Sequence, residues 1–144
     1  MRTRRPSSNF IFDPSLVLYL PLYKLDGSSF ASKDKHGHLC TVTGALWTPQ
    51  GRSFDGIDDK ISIPNSSCLS IISQISLEGW IRRNTTATYT TLIEKGDING
   101  SIANYVILIH NGYLLFDFYN IAWQTQLDAS SLIPLNTWAH FCIT

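Results

Sequence analysis

Four residues with metal-binding side chains recur at every second position early in the chain. They are Asp34, His36, His38 and Cys40. On an extended strand this spacing would place a carboxylate, two imidazoles and a thiol on one face, and all three groups are ligands of zinc. Gly37 in the middle of the run favours a turn, in which the same side chains are solvated. A zinc site and a solvated loop are therefore both open interpretations.

A second group of acidic residues lies at predicted turns and could bind calcium. Ca²⁺ prefers carboxylate and carbonyl oxygens, which such turns supply. Aspartate also favours turns for backbone reasons alone, so an ion is not needed to explain its placement. A structural calcium stays an open expectation with no ligand set chosen. The residues concerned are Asp26, Asp34, Asp55, Asp58 and Asp59.

The sequence offers little for catalysis. Its only two glutamates are Glu78 and Glu94, and Glu94 stands beside Lys95, where a solvated ion pair explains it. We find no nucleophile elbow, no defensible Ser-His-Asp or Cys-His arrangement and no glycine-rich phosphate loop. The three cysteines have no CxxC spacing and allow at most one disulfide. We expect no catalytic residues.

The composition excludes several classes of protein. With 44% hydrophobic and 15% charged residues among 144, the chain is too apolar for a disordered segment and long enough for one folded core. Its 11 basic and 11 acidic residues give zero net charge, so we expect no nucleic-acid partner. The most apolar stretch, 11–23, is interrupted by Asp13, Pro14 and Pro21. We therefore expect neither membrane insertion nor a signal peptide.

Short alternating or apolar runs between turn residues predict an all-β chain. Residues 1–14, with several arginines and two prolines, are predicted to form a flexible arm, and 15–144 to form one domain. Asp-Gly and Asn-Gly dipeptides mark the turns. The predicted strands are 16–22, 39–43, 53–54, 60–63, 75–82, 90–94, 104–110, 113–120, 124–127 and 138–143.

The Asn111-Gly112 dipeptide predicts a two-residue hairpin, which pairs His110 with Tyr113 and fixes the register of both strands. One face of this hairpin is then wholly apolar and predicted to point into the core. The other face mixes rings, leucines and polar tips and is predicted to be half-exposed. The core-facing residues are Tyr105, Ile107, Ile109, Leu114, Phe116 and Phe118.

The strand 75–82 divides in the same way, with Glu78, Trp80 and Arg82 on its polar face. If both polar faces belong to one concave sheet, they could line a groove in which rings stack on sugars and charged tips bond hydroxyls. The alternative is that these rings simply pack. We expect Trp47, Trp138 and His140 to be packed as well. The candidate ligand-binding residues are Glu78, Trp80, Arg82, His110, Tyr113, Asp117 and Tyr119.

Five strings in order resemble the laminin-G-like domains of the concanavalin A-like lectin and glucanase superfamily. The first string comprises 16–22, Asp34 with the Gly37-His38 turn, and Gly44-Ala45-Leu46-Trp47. The other four lie at 53–64, 75–81, 92–97 and 136–144. The resemblance implies a two-sheet antiparallel jelly-roll sandwich with one concave sheet. It also implies further strands after Thr144, so we expect an incomplete domain, a fragment of a larger protein.

The resemblance also carries expectations about function. Catalytic members of the superfamily carry a Glu-x-Asp-x-x-Glu cluster, which this chain lacks, whereas related domains often hold a structural calcium. We therefore expect a non-catalytic module that binds carbohydrate or protein at an extracellular, cell or virion surface. Alternatives are an accessory domain of a glycoside hydrolase and a structural spacer without ligand.

Overall fold

A computed structural model describes residues 10–71, 73–96, 104–120 and 122–144, with the backbone alone for 119–120 and 122–130. The predicted all-β class is confirmed: among these residues regular structure consists of strands and two short 3₁₀ helices, Phe10–Phe12 and Ser67–Leu69. None of the helical segments described is long and apolar enough to cross a membrane. The strands are β1 Ser29–Ala31, β2 Leu39–Thr43, β3 Leu46–Thr48, β4 Gly51–Ser53, β5 Lys60–Ser62, β6 Leu77–Arg82, β7 Tyr89–Lys95, β8 Tyr105–His110, β9 Tyr113–Asn120, β10 Ala122–Leu132 and β11 Trp138–Ile143.

The chain divides into two compact units at the boundary between Leu69 and Ser70. The first unit contains a three-stranded sheet in the order β1-β2-β5 and a separate pair β3-β4, all antiparallel. Cys40 on β2 is fully buried and its β1 partner Phe30 is nearly so. The strands predicted at 39–43 and 60–63 are thus present.

The strand predicted at 16–22 is absent, although the segment is apolar. Its backbone bonds to a loop: the N–H of Tyr19 donates to Asp34 Oδ2 at 2.9 Å, and the Tyr19 carbonyl accepts from the N–H of Lys33 at 2.9 Å. Pro21 has no N–H to offer a neighbouring strand. The prediction is wrong because a side-chain carboxylate satisfies part of this backbone.

The loop between β1 and β2 is closed by local hydrogen bonds. The N–H of Ser32 donates to the His38 carbonyl at 2.9 Å, and the N–H of His38 donates to Ser32 Oγ at 2.8 Å. Gly37 lies at φ +61°, a conformation that glycine adopts without strain. The turn predicted around Gly37 is confirmed, and both it and His36 are exposed.

The second unit is a small antiparallel β-sandwich. One sheet has the order β10-β9-β8-β7, and the other is the pair β11-β6. Buried side chains of β8 and β9, such as Ile107 and Phe116, form a cluster with Ile143 of β11, and Leu77 and Phe141 pack against it. The core therefore lies between the two sheets.

The hairpin between β8 and β9 forms as predicted. Asn111 and Gly112 have φ values of 52° and 92°, as a two-residue turn with both central residues at positive φ requires. The register pairs His110 with Tyr113 and Ile107 with Phe116. The predicted apolar face is the core face.

The opposite face of this hairpin differs from the prediction. Val106 and Leu108 are 0% and 7% exposed, so the centre of the face is buried and not half-exposed. The alternative interpretation, that this centre packs, is the one the structure supports. A strand buried on both faces appears in sequence as a continuous apolar run, and residues 105–109 are such a run.

Candidate functional site

The structure separates the predicted ligand-binding residues into two groups. Glu78, Trp80 and Arg82 lie on β6, whereas His110, Tyr113 and Asp117 lie on β8 and β9 of the other sheet. Because each alternates with core-facing neighbours, the two groups point away from the core on opposite sides of the sandwich. The predicted common groove does not form. Tyr119 pairs with Trp123 in the backbone register, but its side chain lies outside the described residues.

The first group belongs to a continuous exposed surface that β11 completes. Antiparallel pairing places Glu78 opposite Cys142, Trp80 opposite His140, and Arg82 opposite Trp138. Every one of these side chains is exposed, and Trp80 retains 66% of its accessible surface. We call this surface the Trp80 face; it consists of Glu78, Trp80, Arg82, Trp138, His140 and Cys142.

Specific contacts orient the side chains of the Trp80 face. The rings of Trp80 and His140 lie with centroids 5.1 Å apart at an angle of 51°. His140 Nε2 is 4.0 Å from Glu78 Oε2, an exposed pair worth little in stability and charged only when the imidazole is protonated. Arg82 donates from Nε to the Asn136 carbonyl at 3.1 Å. An indole, an imidazole, a carboxylate and a guanidinium therefore share one solvent-facing strip.

Two residues of the Trp80 face are more exposed than the sequence predicted. Trp138 is 40% exposed and His140 is exposed, although both were expected to be packed. The reason is strand parity: Ala139, Phe141 and Ile143 take the core side, which leaves the alternate positions outside. The alternation itself was visible in the sequence and could have identified both residues. Trp47 is half-buried, and its indole N–H donates to the Tyr23 carbonyl at 3.2 Å.

A row of side chains crosses the hairpin end of the four-stranded sheet, on its outer face. Tyr89 and His110 are cross-strand partners whose rings stack at 4.4 Å with only 7° between their planes. Tyr113 and Leu132 continue the row, and Tyr89 is 65% exposed. Tyr89 and Leu132 were not among the predicted site residues, because their register across the sheet depends on strands distant in sequence.

Asp117 is poorly placed to meet a ligand. It is half-buried opposite Val106, and its Oδ1 atom is buried with no hydrogen-bond partner in the part of the chain that the structure describes. A carboxylate oxygen that is shielded from solvent does not contribute to an open binding surface. The usable residues of the predicted set are therefore those of the Trp80 face and, separately, His110 and Tyr113.

The acidic turn residues shape their own loop. Asp55 Oδ1 accepts the N–H of Ile57 at 2.8 Å, and Asp59 Oδ2 accepts the N–H of Asp55 at 2.8 Å. The bond from Ile57 is the main reason why the pKa of Asp55 is lowered. One carboxylate oxygen from each of Asp55, Asp58 and Asp59 lies within 4.8 Å of the others, whereas Asp26 and Asp34 are not part of this group.

The alternating Asp-His-His-Cys run does not gather its four side chains around one point. Cys40 is fully buried and its thiol is 3.4 Å from the His38 carbonyl, while Asp34 bonds the backbone N–H groups of Tyr19 and His36. His36 and His38 do come together, with Cys68 as the third member of the group. This third residue was not a candidate, because it lies 30 positions further along the chain.

Comparisons with protein-family models, with curated proteins and with solved structures find no match to this chain.

Proposed function

We propose that the chain is a non-catalytic module of the laminin-G-like, jelly-roll type, which binds carbohydrate on the Trp80 face. The observation that carries the proposal is the exposure of Trp80, 66%, at the centre of a strip of polar and aromatic side chains. The order of the five family-like strings and the antiparallel sandwich of the second unit support the choice of family. Because the resemblance implies further strands and a larger protein, we infer that the chain acts as part of an extracellular, cell-surface or virion protein.

The chemistry of the Trp80 face suits a sugar. An indole face is apolar but electron-rich, so it stacks on the C–H groups of a pyranose ring. Glu78 accepts hydrogen bonds from hydroxyls, while Arg82 donates to them, and bonds to charged groups are the stronger kind. Trp138 lies diagonally across the strand pair from Trp80, at a typical separation of about 7–8 Å, which allows a second ring to contact a neighbouring sugar.

Two other functions fit weaker observations. A protein partner would use the same exposed rings, because aromatic side chains and arginine are enriched at protein interfaces. A structural spacer is favoured only by the buried centre of the opposite face, at Val106 and Leu108. An accessory role beside a glycoside hydrolase is compatible with carbohydrate binding, since the catalytic residues would then lie outside these 144 residues.

A glycan array tests the proposal, with the chain labelled and applied once with calcium and once with a chelator. We expect binding to at least one glycan class, and we expect Trp80→Ala to weaken it roughly 30-fold, the effect of losing an aromatic worth about 2 kcal/mol at a binding centre. Tyr89→Ala is the matched control, because Tyr89 is equally exposed but lies on the other side of the sandwich.

Three outcomes would contradict the proposal. A folded chain that binds no glycan leaves the protein-partner and spacer functions. Binding that survives Trp80→Ala but not Tyr89→Ala moves the site to the hairpin end of the four-stranded sheet. Loss of binding in both variants, with circular dichroism unchanged, means that neither ring acts as a local contact.

A further inference from the structure

Three side chains of the first unit with nitrogen or sulfur ligand atoms converge at one point. His36 and His38 come from the loop between β1 and β2, and Cys68 comes from the 3₁₀ helix Ser67–Leu69. One ligand atom of each lies within 4.8 Å of the others. We propose that His36, His38 and Cys68 bind one zinc ion. This proposal is independent of the carbohydrate-binding function.

The clearest distance agrees with zinc coordination. His38 Nε2 and Cys68 Sγ are 3.6 Å apart. Two ligands at the usual zinc–nitrogen and zinc–sulfur lengths, about 2.05 and 2.3 Å, are about 3.5–3.6 Å apart in a tetrahedral site. The pair already has the separation that a shared zinc ion requires. His36 is exposed and one of its ring nitrogens lies within 4.8 Å of the other two ligand atoms, so rotation of its side chain would bring it into the same shell.

The surrounding loop holds these ligands in place before any ion arrives. Asp34 Oδ1 accepts the N–H of His36 at 2.8 Å, and Ser32 Oγ accepts the N–H of His38 at 2.8 Å. Asp34 is nearly buried and Ser32 is buried, so both anchors are fixed. The run of alternate metal-binding residues thus contains two ligands, and Asp34 within it positions His36, while Ser32 outside it positions His38.

The ligand types favour zinc over calcium, the cation that the acidic turns suggest. Calcium takes oxygen ligands, whereas two imidazoles and a thiolate suit Zn²⁺ in tetrahedral coordination. Three protein ligands leave a fourth position, which a water molecule or the Val17 carbonyl fills. The latter lies 3.0 Å from His38 Nε2, a hydrogen bond that the bound ion would replace. Binding also releases the thiol proton of Cys68 to solvent.

A bound ion would connect two segments that are distant in sequence. His36 and His38 belong to the β1–β2 loop, while Cys68 lies next to Leu69, the last residue of the first unit. Ser66 Oγ lies 3.2 Å from Cys68 Sγ, so the cysteine is already held at this position. We infer a structural role, in which zinc clamps the loop to the 3₁₀ helix.

Cobalt(II) titration of the reduced, folded chain tests the proposal, because tetrahedral Co²⁺ with a thiolate ligand gives intense visible bands and a charge-transfer band. We expect one Co²⁺ per chain, displaced by one equivalent of Zn²⁺. Cys68→Ser abolishes the charge-transfer band, and His36→Gln weakens cobalt binding at least tenfold. Cys142→Ser is the matched control, because Cys142 is an exposed thiol in the other unit and its loss leaves the spectrum unchanged.

Each remaining outcome overturns the proposal. A folded wild-type chain without a thiolate–cobalt band has no such site. A band that persists in Cys68→Ser, or that disappears in Cys142→Ser, comes from other residues. Because His36 is exposed, His36→Gln retains the fold, and unchanged cobalt affinity in that variant would exclude the three-ligand site even if Cys68→Ser fails to fold. None of these readouts depends on glycan binding.

Discussion

Replacing Trp80 with alanine should cost much less stability than the loss of a large aromatic normally does. The side chain retains 66% of its accessible surface, so about one third of it is buried. A large aromatic side chain buries up to about 250 Å² when fully enclosed, which leaves roughly 85 Å² here. At about 25 cal/mol per Å² this amounts to about 2 kcal/mol, and an extended-chain reference makes that figure an upper bound. We expect a loss of about 1–2 kcal/mol.

Urea denaturation of two variants measures this directly. Phe116 is 6% exposed inside the core cluster, and Phe116→Ala should cost about 3–5 kcal/mol. Trp80→Ala should therefore fall well short of Phe116→Ala in its effect on the free energy of unfolding. Equal losses in the two variants would mean that Trp80 is packed, and the Trp80 face would then not be an open surface.

Three further outcomes follow from the structure. Gly112→Ala should cost about 1–2 kcal/mol in urea denaturation, because φ is +92° there and a new Cβ would lie 2.8 Å from Leu132 Cδ2; Gly27→Ala, with nothing within 4 Å, should not destabilise, and the reverse order would refute the hairpin geometry. Burial raises the pKa of Asp34, but hydrogen bonds from Ser32 and from the backbone N–H groups of Tyr19, His36 and Asp34 outweigh it and lower the pKa overall. Stability should therefore be lost as pH falls below about 4 in the wild type and less so in Asp34→Asn; equal acid sensitivity in thermal melts would be contrary evidence. Zinc at 100 times its dissociation constant should raise the free energy of unfolding by about 2.7 kcal/mol, an increase that Cys68→Ser should remove in the same melts.

The parts of the fold that follow from local sequence were predicted well. Asn111-Gly112 imposes a two-residue turn, and the turn imposes the pairing of both strands, so the core face of β8 and β9 could be derived from periodicity alone. The polar side of β6 followed from the same alternation. Applied to β11, it would have placed Trp138 and His140 outside as well.

The other failures depend on contacts between distant parts of the chain. Nothing in the apolar segment 16–22 indicates that the Asp34 carboxylate accepts the backbone N–H of Tyr19. The apolar run 105–109 is typical of a strand buried on both faces, whereas the packing that covers Val106 is a tertiary property. Cys68 and His38 are 30 positions apart in sequence, and only the fold of the first unit brings them together. The assignment of the polar strands to two different sheets, which divides the predicted groove, is also a matter of topology.

The most direct test of carbohydrate binding at the Trp80 face uses the indole N–H signals of the tryptophans in a ¹⁵N-labelled sample. Four tryptophans give separate signals, each assignable by a single substitution. Titration with the glycan that gives the strongest array signal should shift the signals of Trp80 and Trp138 and leave that of Trp47, which lies in the other unit, in place. Saturation with glycan while the Trp80 and Trp138 signals remain unmoved would contradict the proposed site.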